Sequence, residues 1–185
     1  MINFSHLLIA YILMITAYTF VEVYLQKRYN KGERGKTEKT FLLLILPFYI
    51  VIYFAPLENY LLDLTLKFNT IIAGSVLFVA AVLIRVTAMH TLNRNFSITI
   101  EAKEDGKLVE TGIYKLIRHP LYLAVMMMVG GSALIFNCII CCFFIALTFI
   151  GVLIRIKNEE AFLMKQFPEY SLYMVRSKKL IPFIF

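Results

Sequence analysis

The segment Arg118-His119-Pro120-Leu121-Tyr122 brings a guanidinium, an imidazole and a phenol together where a polar stretch meets an apolar one. Proline disfavours helix at the preceding residue and suits the first turn of the helix that follows. His119 is therefore predicted beside a helix N-terminus, where free amides and the helix dipole favour an anionic group. Arg118 adds a second cation nearby. These residues favour a ligand with a carboxylate or phosphate, although an ordinary membrane boundary uses the same residue types.

A second polar cluster follows the next apolar run. Arg155 and Glu159 are four residues apart, so they share one face of a predicted helix, and Glu160 follows directly. Charges at the edge of the bilayer core are costly unless they pair or face a water-filled cavity. A short hairpin would return the chain to the side it left and place residues 155–160 against residues 114–122. A plain surface ion pair is the simpler alternative.

Aromatic side chains surround both clusters, and aromatic faces attract cations, including onium groups. Interfacial anchoring explains such residues equally well. The residues concerned are Tyr114, Tyr122, Phe167, Tyr170 and Tyr173. Arg85 and His90 lie in the last two turns of the preceding apolar span, where they either reach the membrane surface or line the same cavity.

The elements that must position these residues are membrane helices. Of 185 residues, 60% are hydrophobic and 17% charged, and the mean hydropathy is +0.75; soluble domains are less apolar and more highly charged. The formal net charge is +7, but the basic residues fall between apolar spans, which excludes a nucleic-acid-binding surface as the simplest explanation. Cys138, Cys141 and Cys142 lie in apolar sequence, and we expect no metal site or disulfide from them.

Apolar spans cover residues 4–26, 40–57 and 69–92, and residues 121–154 are apolar throughout. Two halves of about 17 residues would each reach roughly 25 Å at about 1.5 Å per residue, barely enough to cross. Asn137, near the middle, is the predicted turn. The sequence therefore predicts an all-α integral membrane protein with about five transmembrane helices, including a tight C-terminal helical hairpin.

Basic residues divide unequally between the two sides of the predicted bundle. The segments 27–39, 93–120 and 155–185 carry 6, 5 and 6 Lys or Arg residues, against 1 in residues 58–68. Positive charge marks the cytoplasmic side. The N-terminus is then outside and the C-terminus cytoplasmic, in the plasma membrane if the protein is prokaryotic. Both polar clusters would form a pocket at the cytosolic face.

Three linked motifs carry a family resemblance: LVETGIYKLIRHPLY at 108–122, the apolar hairpin, and RIKNEEAFLMKQFPEYSLY at 155–173, followed by LIPFIF at 180–185. Over residues 93–185 the chain resembles the isoprenylcysteine carboxyl methyltransferase (ICMT) family and related prokaryotic integral-membrane methyltransferases. The resemblance divides the chain into an N-terminal two-helix membrane region, residues 1–68, and a methyltransferase core, residues 69–185.

The resemblance implies S-adenosyl-L-methionine as cofactor and a lipophilic or lipidated acceptor that enters from the bilayer among membrane lipids. The acceptor would be methylated on a carboxylate, as in isoprenylcysteine, or on an acidic hydroxyl. By the same resemblance Arg155 is the substrate-side catalytic residue. The implied donor-binding residues are Leu108, Val109, Tyr114, His119, Pro120, Leu121, Tyr122 and Glu159. Many relatives have a histidine where this chain has Gly106.

Two alternatives stay open at this point. A phospholipid N-methyltransferase has a similar motif arrangement, but its amine acceptor starts protonated and needs a base. The other alternative is a non-enzymatic membrane scaffold or a transporter subunit. Transporters usually place charges at the bilayer midplane within repeated, broken helices, whereas the charges here cluster at one face.

Overall fold

The computed structural model describes residues 3–29, 39–93 and 108–181. The elements in these ranges are helices α1 (Phe4–Tyr29), α2 (Lys39–Leu61), α3 (Phe68–Leu92), a 3₁₀ turn (Gly112–Lys115), α4 (Pro120–Phe136), α5 (Cys141–Gln166) and α6 (Tyr170–Arg176). Within the described ranges the extended backbone forms one isolated parallel bridge, between Ile117 and Lys178. The predicted all-α class is confirmed.

Four of these helices, α1, α2, α3 and α5, are long and apolar enough to cross a membrane. Helix α4 is apolar but has only 17 residues, so the predicted set of about five spans consists of four long helices and one short one. The hairpin is also unequal: α5 has 26 residues because it continues beyond the apolar run into its charged segment. The chain is an integral membrane protein.

The hairpin turns at Asn137, as predicted. Its backbone is left-handed, with φ 53° and ψ 37°, and its amide caps α4 through the carbonyls of Ala133 and Leu134. Asparagine tolerates this conformation better than most residues with a side chain. The Asn137 side-chain amide also donates to the Thr65 carbonyl at 2.6 Å, which ties the turn to the α2–α3 connection.

A glutamate of α2 caps the start of α5. Glu58 is only 1% exposed, and its carboxylate accepts the amides of Ile139, Ile140 and Cys141 at 2.7, 2.7 and 3.1 Å. The first amides of a helix have no partner within the helix, and a carboxylate there also complements the helix dipole. Since the cap is 81 to 83 positions away in sequence, no local pattern predicts it.

Helices α3 and α4 approach each other closely at two glycines. A Cβ atom built on Gly74 would lie 2.5 Å from the Gly131 carbonyl oxygen, and one on Gly131 would lie 2.8 Å from the Gly74 carbonyl oxygen. Small residues allow such contact between membrane helices. Around the crossing lies a core that includes Phe78, Met128 and Phe136. This contact fixes the direction of α4 and therefore of His119 at its start.

Helix α1 is joined to α3 by an ion pair between Glu22 and Arg85. The Arg85 Nε and Nη2 atoms each donate to a different Glu22 oxygen at 2.6 Å, and Gln26 donates to Glu22 at 2.7 Å. Arg85 is therefore paired within the bundle, as a charge in the membrane requires. His90 is exposed, with its ring centroid 6.2 Å from that of Tyr29.

Candidate active site

The two polar clusters meet at the start of α4. His119 caps this helix with a non-helical backbone, φ −125° and ψ 57°, and Pro120 occupies its first turn. The imidazole is buried, with Nε2 3.3 Å from a Glu160 oxygen and Nδ1 3.8 Å from a Glu159 oxygen. The convergence of residues 114–122 with residues 155–160, which the predicted hairpin required, is therefore present in the fold.

Tyr122 connects Arg155 to Glu159. The Tyr122 hydroxyl donates to Glu159 Oε2 at 2.9 Å and accepts from Arg155 Nε at 3.0 Å. The Arg155 guanidinium also lies over the ring of Phe41 in α2, 5.5 Å from its centroid. Arg155 is buried, whereas the Glu159 side chain is 34% exposed. The Tyr122 phenol thus bridges Arg155 and Glu159, the pair that the sequence predicted on one face of a helix. Of these two side chains, Glu159 is the more exposed.

Each described hydrogen bond of the Arg118 side chain is made to another group of the protein. Its Nε lies 3.0 Å from Glu160 Oε1, and both side chains are more than nine-tenths buried. Its Nη1 donates to the carbonyls of Met174, at 2.9 Å, and Ser177. The sequence favoured Arg118 as a second contact for an anionic ligand, but these bonds instead hold α5 and the C-terminal segment together. Charge-assisted bonds to carbonyls and a carboxylate suit the guanidinium fork.

The C-terminal segment forms backbone hydrogen bonds with the residues that precede α4. The amides of Arg118 and His119 donate to the carbonyls of Lys178 and Lys179 at 2.7 and 3.0 Å, and the Lys178 amide donates to Leu116 at 3.1 Å. The proline at position 120 has no amide to continue this ladder. His119 is therefore fixed by its neighbours on both sides of the bridge. Sequence reasoning did not find this pairing, since the partners are about 60 positions apart.

Three buried tyrosines belong to the 3₁₀ turn and to α6: Tyr114, Tyr170 and Tyr173. The Tyr173 hydroxyl donates to the Tyr114 carbonyl at 2.6 Å, and burial raises the pKa of Tyr173 to about 12, so it stays a neutral donor. Burial likewise raises the pKa of Tyr114 and Tyr170. Among the described residues the hydroxyls of Tyr114 and Tyr170 have no hydrogen-bond partner. Buried hydroxyls without partners are costly, so a polar ligand atom would stabilise them.

The remaining predicted donor-site residues are adjacent in the chain to the 3₁₀ turn and the start of α4. Leu108 and Val109 are partly buried ahead of the 3₁₀ turn, and Pro120 is buried. Leu121 is partly buried and packs beside Met89 of α3. Gly106 lies outside the described residues. All eight predicted donor-site residues, with Arg155, thus come from the segments that meet at His119. Glu160, which the sequence placed in the second polar cluster, contacts His119 directly.

Comparisons with known proteins agree with this arrangement. The family described as isoprenylcysteine carboxyl methyltransferase (ICMT) matches residues 71–165. The protein-S-isoprenylcysteine O-methyltransferase of Saccharomyces cerevisiae is 28% identical over 192 residues, covering 94% of this chain and 79% of the yeast protein. The protein-S-isoprenylcysteine O-methyltransferase B of Arabidopsis thaliana is 30% identical over 115 residues, 60% of this chain and 58% of the plant protein.

A solved structure supports the fold. The eukaryotic intramembrane Ras methyltransferase ICMT aligns over 94% of this chain and 68% of its own length, with a TM-score of 0.60 and 22% sequence identity. The family match begins within α3 and ends near the end of α5, so it includes the hairpin and both polar clusters. The chain belongs to the isoprenylcysteine carboxyl methyltransferase family.

Proposed function

We propose that this chain is an S-adenosyl-L-methionine-dependent methyltransferase that acts on a lipophilic membrane substrate and methylates its carboxylate, as in isoprenylcysteine. The observation that carries the proposal is the junction of His119, Tyr122, Arg155 and Glu159 at one end of the membrane bundle, in the segments that the family match covers. The names of the yeast and plant relatives support the same activity.

The donor-site residues suit S-adenosyl-L-methionine, which supplies a sulfonium methyl group when bound. His119 would hold the donor's carboxylate, and the partly exposed Glu159 would accept from its amino group. The buried Tyr114 and Tyr170 hydroxyls supply two donors that the described protein groups leave unused. Leu108, Val109 and Leu121 give the apolar contacts that a nucleoside ring requires, while Pro120 fixes the backbone beside His119.

Arg155 is proposed to orient the acceptor. A carboxylate is already nucleophilic, so the reaction requires alignment and exclusion of water but no general base. The guanidinium lies over the ring of Phe41 in α2, 5.5 Å from its centroid, which supports an acceptor position on the α2 side. The acceptor would therefore approach from the bilayer on the α2 side, with the donor on the side of His119.

The orientation of the protein follows from charge. We propose that the N-terminus is outside and the C-terminus cytoplasmic, because 17 of the 19 basic residues lie in the three segments that five crossings place on one side. In a prokaryote the membrane would be the plasma membrane.

The division of the chain into an N-terminal membrane region, residues 1–68, and a methyltransferase core, residues 69–185, stays a prediction. Contacts such as that of Arg155 with Phe41 join the two regions.

Carboxyl methylation is favoured over the phospholipid N-methyltransferase alternative by the relatives that the chain matches. No observation favours a scaffold or transporter subunit, since the intramembrane charge at Arg85 is neutralised by Glu22.

Calorimetry with S-adenosyl-L-methionine tests the donor site. We expect binding by the purified protein in lipid nanodiscs, and at least about tenfold weaker binding for His119→Ala and Glu159→Ala, since each loses one charge-assisted contact. Arg155→Ala should bind the donor normally but turn over more slowly. Lys157→Ala, an exposed substitution on the same helix, is the matched control. Absence of donor binding by the wild type would contradict the proposal.

A further inference from the structure

Three metal-ligating side chains converge at the turn of the hairpin. Glu58 comes from α2, Cys138 from the turn and Cys141 from the first residue of α5, and one donor atom of each lies within 4.8 Å of the other two. The three residues are 1%, 7% and 0% exposed. At about 1.5 Å per residue, the 17 residues of α4 separate this cluster from His119 by roughly 25 Å. It is therefore distinct from the candidate active site.

We propose that this cluster, the hairpin thiol site, binds a zinc-like divalent cation. Two cysteines with two residues between them are a common half of zinc sites, and thiolates select zinc, cobalt or cadmium over magnesium or calcium. With metal–sulfur bonds of about 2.3 Å and metal–oxygen bonds of about 2.0 Å, tetrahedral ligands lie roughly 3.5 to 3.8 Å apart. The ligand atoms of the three residues all lie within 4.8 Å of one another, at most about 1 Å beyond that range.

The carboxylate can offer a coordination position to a metal. Glu58 Oε1 already accepts two amides, from Ile139 and Ile140, whereas Oε2 accepts one, from Cys141. Each carboxylate oxygen has two acceptor positions. The Cys141 thiol also donates to Glu58, but it loses this proton on binding a metal, so Oε2 then has a position for the cation. The three amide bonds would then serve as outer-shell contacts that hold the carboxylate in a fixed orientation, as is usual for metal ligands.

Charge also favours a cation at this position. None of the described residues forms an ion pair with Glu58, so its buried negative charge is compensated by hydrogen bonds alone, from the three amides and the Cys141 thiol. On binding, the Cys138 and Cys141 thiols each release one proton to solvent, and the two thiolates and the carboxylate together carry three negative charges. A dication leaves a net charge of −1, next to the positive end of the α5 dipole.

An open groove leads to one of the two thiols. It has a volume of about 580 Å³ and is lined by Cys138, Asn137 and Thr65, among others. This groove gives a cation access from the end of the bundle. It also leaves room for a water molecule as the fourth ligand, which a three-residue zinc site requires. The proposal thereby replaces the expectation that these cysteines only fill apolar space; Cys142, which is exposed, is outside the cluster.

Cobalt titration of the reduced, full-length protein in nanodiscs tests this site. We expect one equivalent of Co²⁺ to produce thiolate-to-cobalt charge-transfer absorption and the strong visible bands of tetrahedral cobalt, with zinc displacing it. Cys138→Ser with Cys141→Ser should abolish both signals, and Glu58→Gln should weaken cobalt affinity by about tenfold or more. Cys142→Ser, the adjacent thiol outside the cluster, is the matched control and should titrate like the wild type.

Zinc should also raise the melting temperature of the wild type and of Cys142→Ser, because a ligand that binds only the folded state stabilises it. The double serine variant should show no such rise. Absence of a thiolate band in the wild type, or an unchanged band in the double variant, would overturn the proposal. None of these readouts involves methyl transfer, so they are independent of the proposed function.

Discussion

Substitution of Arg118 by methionine separates a structural role from a ligand-binding role. The guanidinium holds Glu160 at 3.0 Å and the carbonyls of Met174 and Ser177, so it ties α5 to the C-terminal segment. Methionine keeps much of the side chain's volume but none of its donors. In the variant, Glu160 would keep only His119, at 3.3 Å, and Lys179, at 3.7 Å.

The cost should be large because both partners are buried. Breaking a buried ion pair by removing one partner costs about 3 to 5 kcal/mol, and Glu160 would keep only the longer contacts with His119 and the half-exposed Lys179. For a chain of this size each kcal/mol corresponds to roughly 2 to 4 °C, so the melting temperature should fall by about 6 to 20 °C. Adding Glu160→Gln removes the Glu160 charge, so the double variant should melt above Arg118→Met alone.

The chain contains no tryptophan, so unfolding is best followed with a dye that becomes fluorescent on reacting with the buried thiols of Cys138 and Cys141, in a Cys142→Ser background that lacks the exposed thiol. Arg176→Met is the matched control, because its ion pair with Glu110 is 3.6 Å long and its side chain is 68% exposed. That pair should contribute well under about 1 kcal/mol. The reasoning is refuted if Arg118→Met melts with the wild type but binds S-adenosyl-L-methionine much more weakly, since Arg118 would then be a ligand contact.

Three further substitutions test the packing that positions the site, each by melting temperature in nanodiscs. Gly131→Ala should destabilise by about 1 to 3 kcal/mol or more, because its Cβ would meet the α3 backbone at 2.8 Å; Gly130→Ala, with only a side-chain carbon at 3.7 Å, should be neutral or slightly stabilising. Glu22→Ala should cost about 3 kcal/mol by leaving Arg85 unpaired within the bundle, and equal melting of this variant and the wild type would contradict that. Tyr173→Phe should lower the free energy of unfolding by about 1 to 3 kcal/mol, because it removes a buried hydrogen bond. A variant that loses donor binding but keeps its stability would contradict this structural role.

The features that the sequence predicted correctly depend on neighbouring residues. Hydropathy located the long helices to within a few residues at most ends, because membrane insertion depends on the apolar length of each segment. Asn137 marked the turn because few other residues adopt its conformation easily. His119 and Pro120 marked the start of α4 for the same local reason. The family resemblance was also carried by motifs of adjacent residues, and the family match over residues 71–165 confirms the family.

The features that the sequence did not predict are contacts between distant residues. Glu22 pairs with Arg85 across 63 positions, and Glu58 caps α5 across more than 80. The bridge between Ile117 and Lys178 gives no periodic signal, since it is a single pair. Arg118 is the clearest case: beside His119 it resembles a ligand contact, and only the folded position of residues 174–177 shows that its bonds go to the protein.

The most direct test of the proposed function is transfer of a labelled methyl group from S-adenosyl-L-methionine to an N-acylated prenylcysteine by the purified protein in nanodiscs. Phosphatidylethanolamine and a lipophilic phenol serve as competing acceptors. We predict a base-labile methyl ester on the prenylcysteine from the wild type and Lys157→Ala, and its loss in Arg155→Ala. Label on phosphatidylethanolamine alone, or no label on any acceptor while the donor binds, would contradict carboxyl methylation.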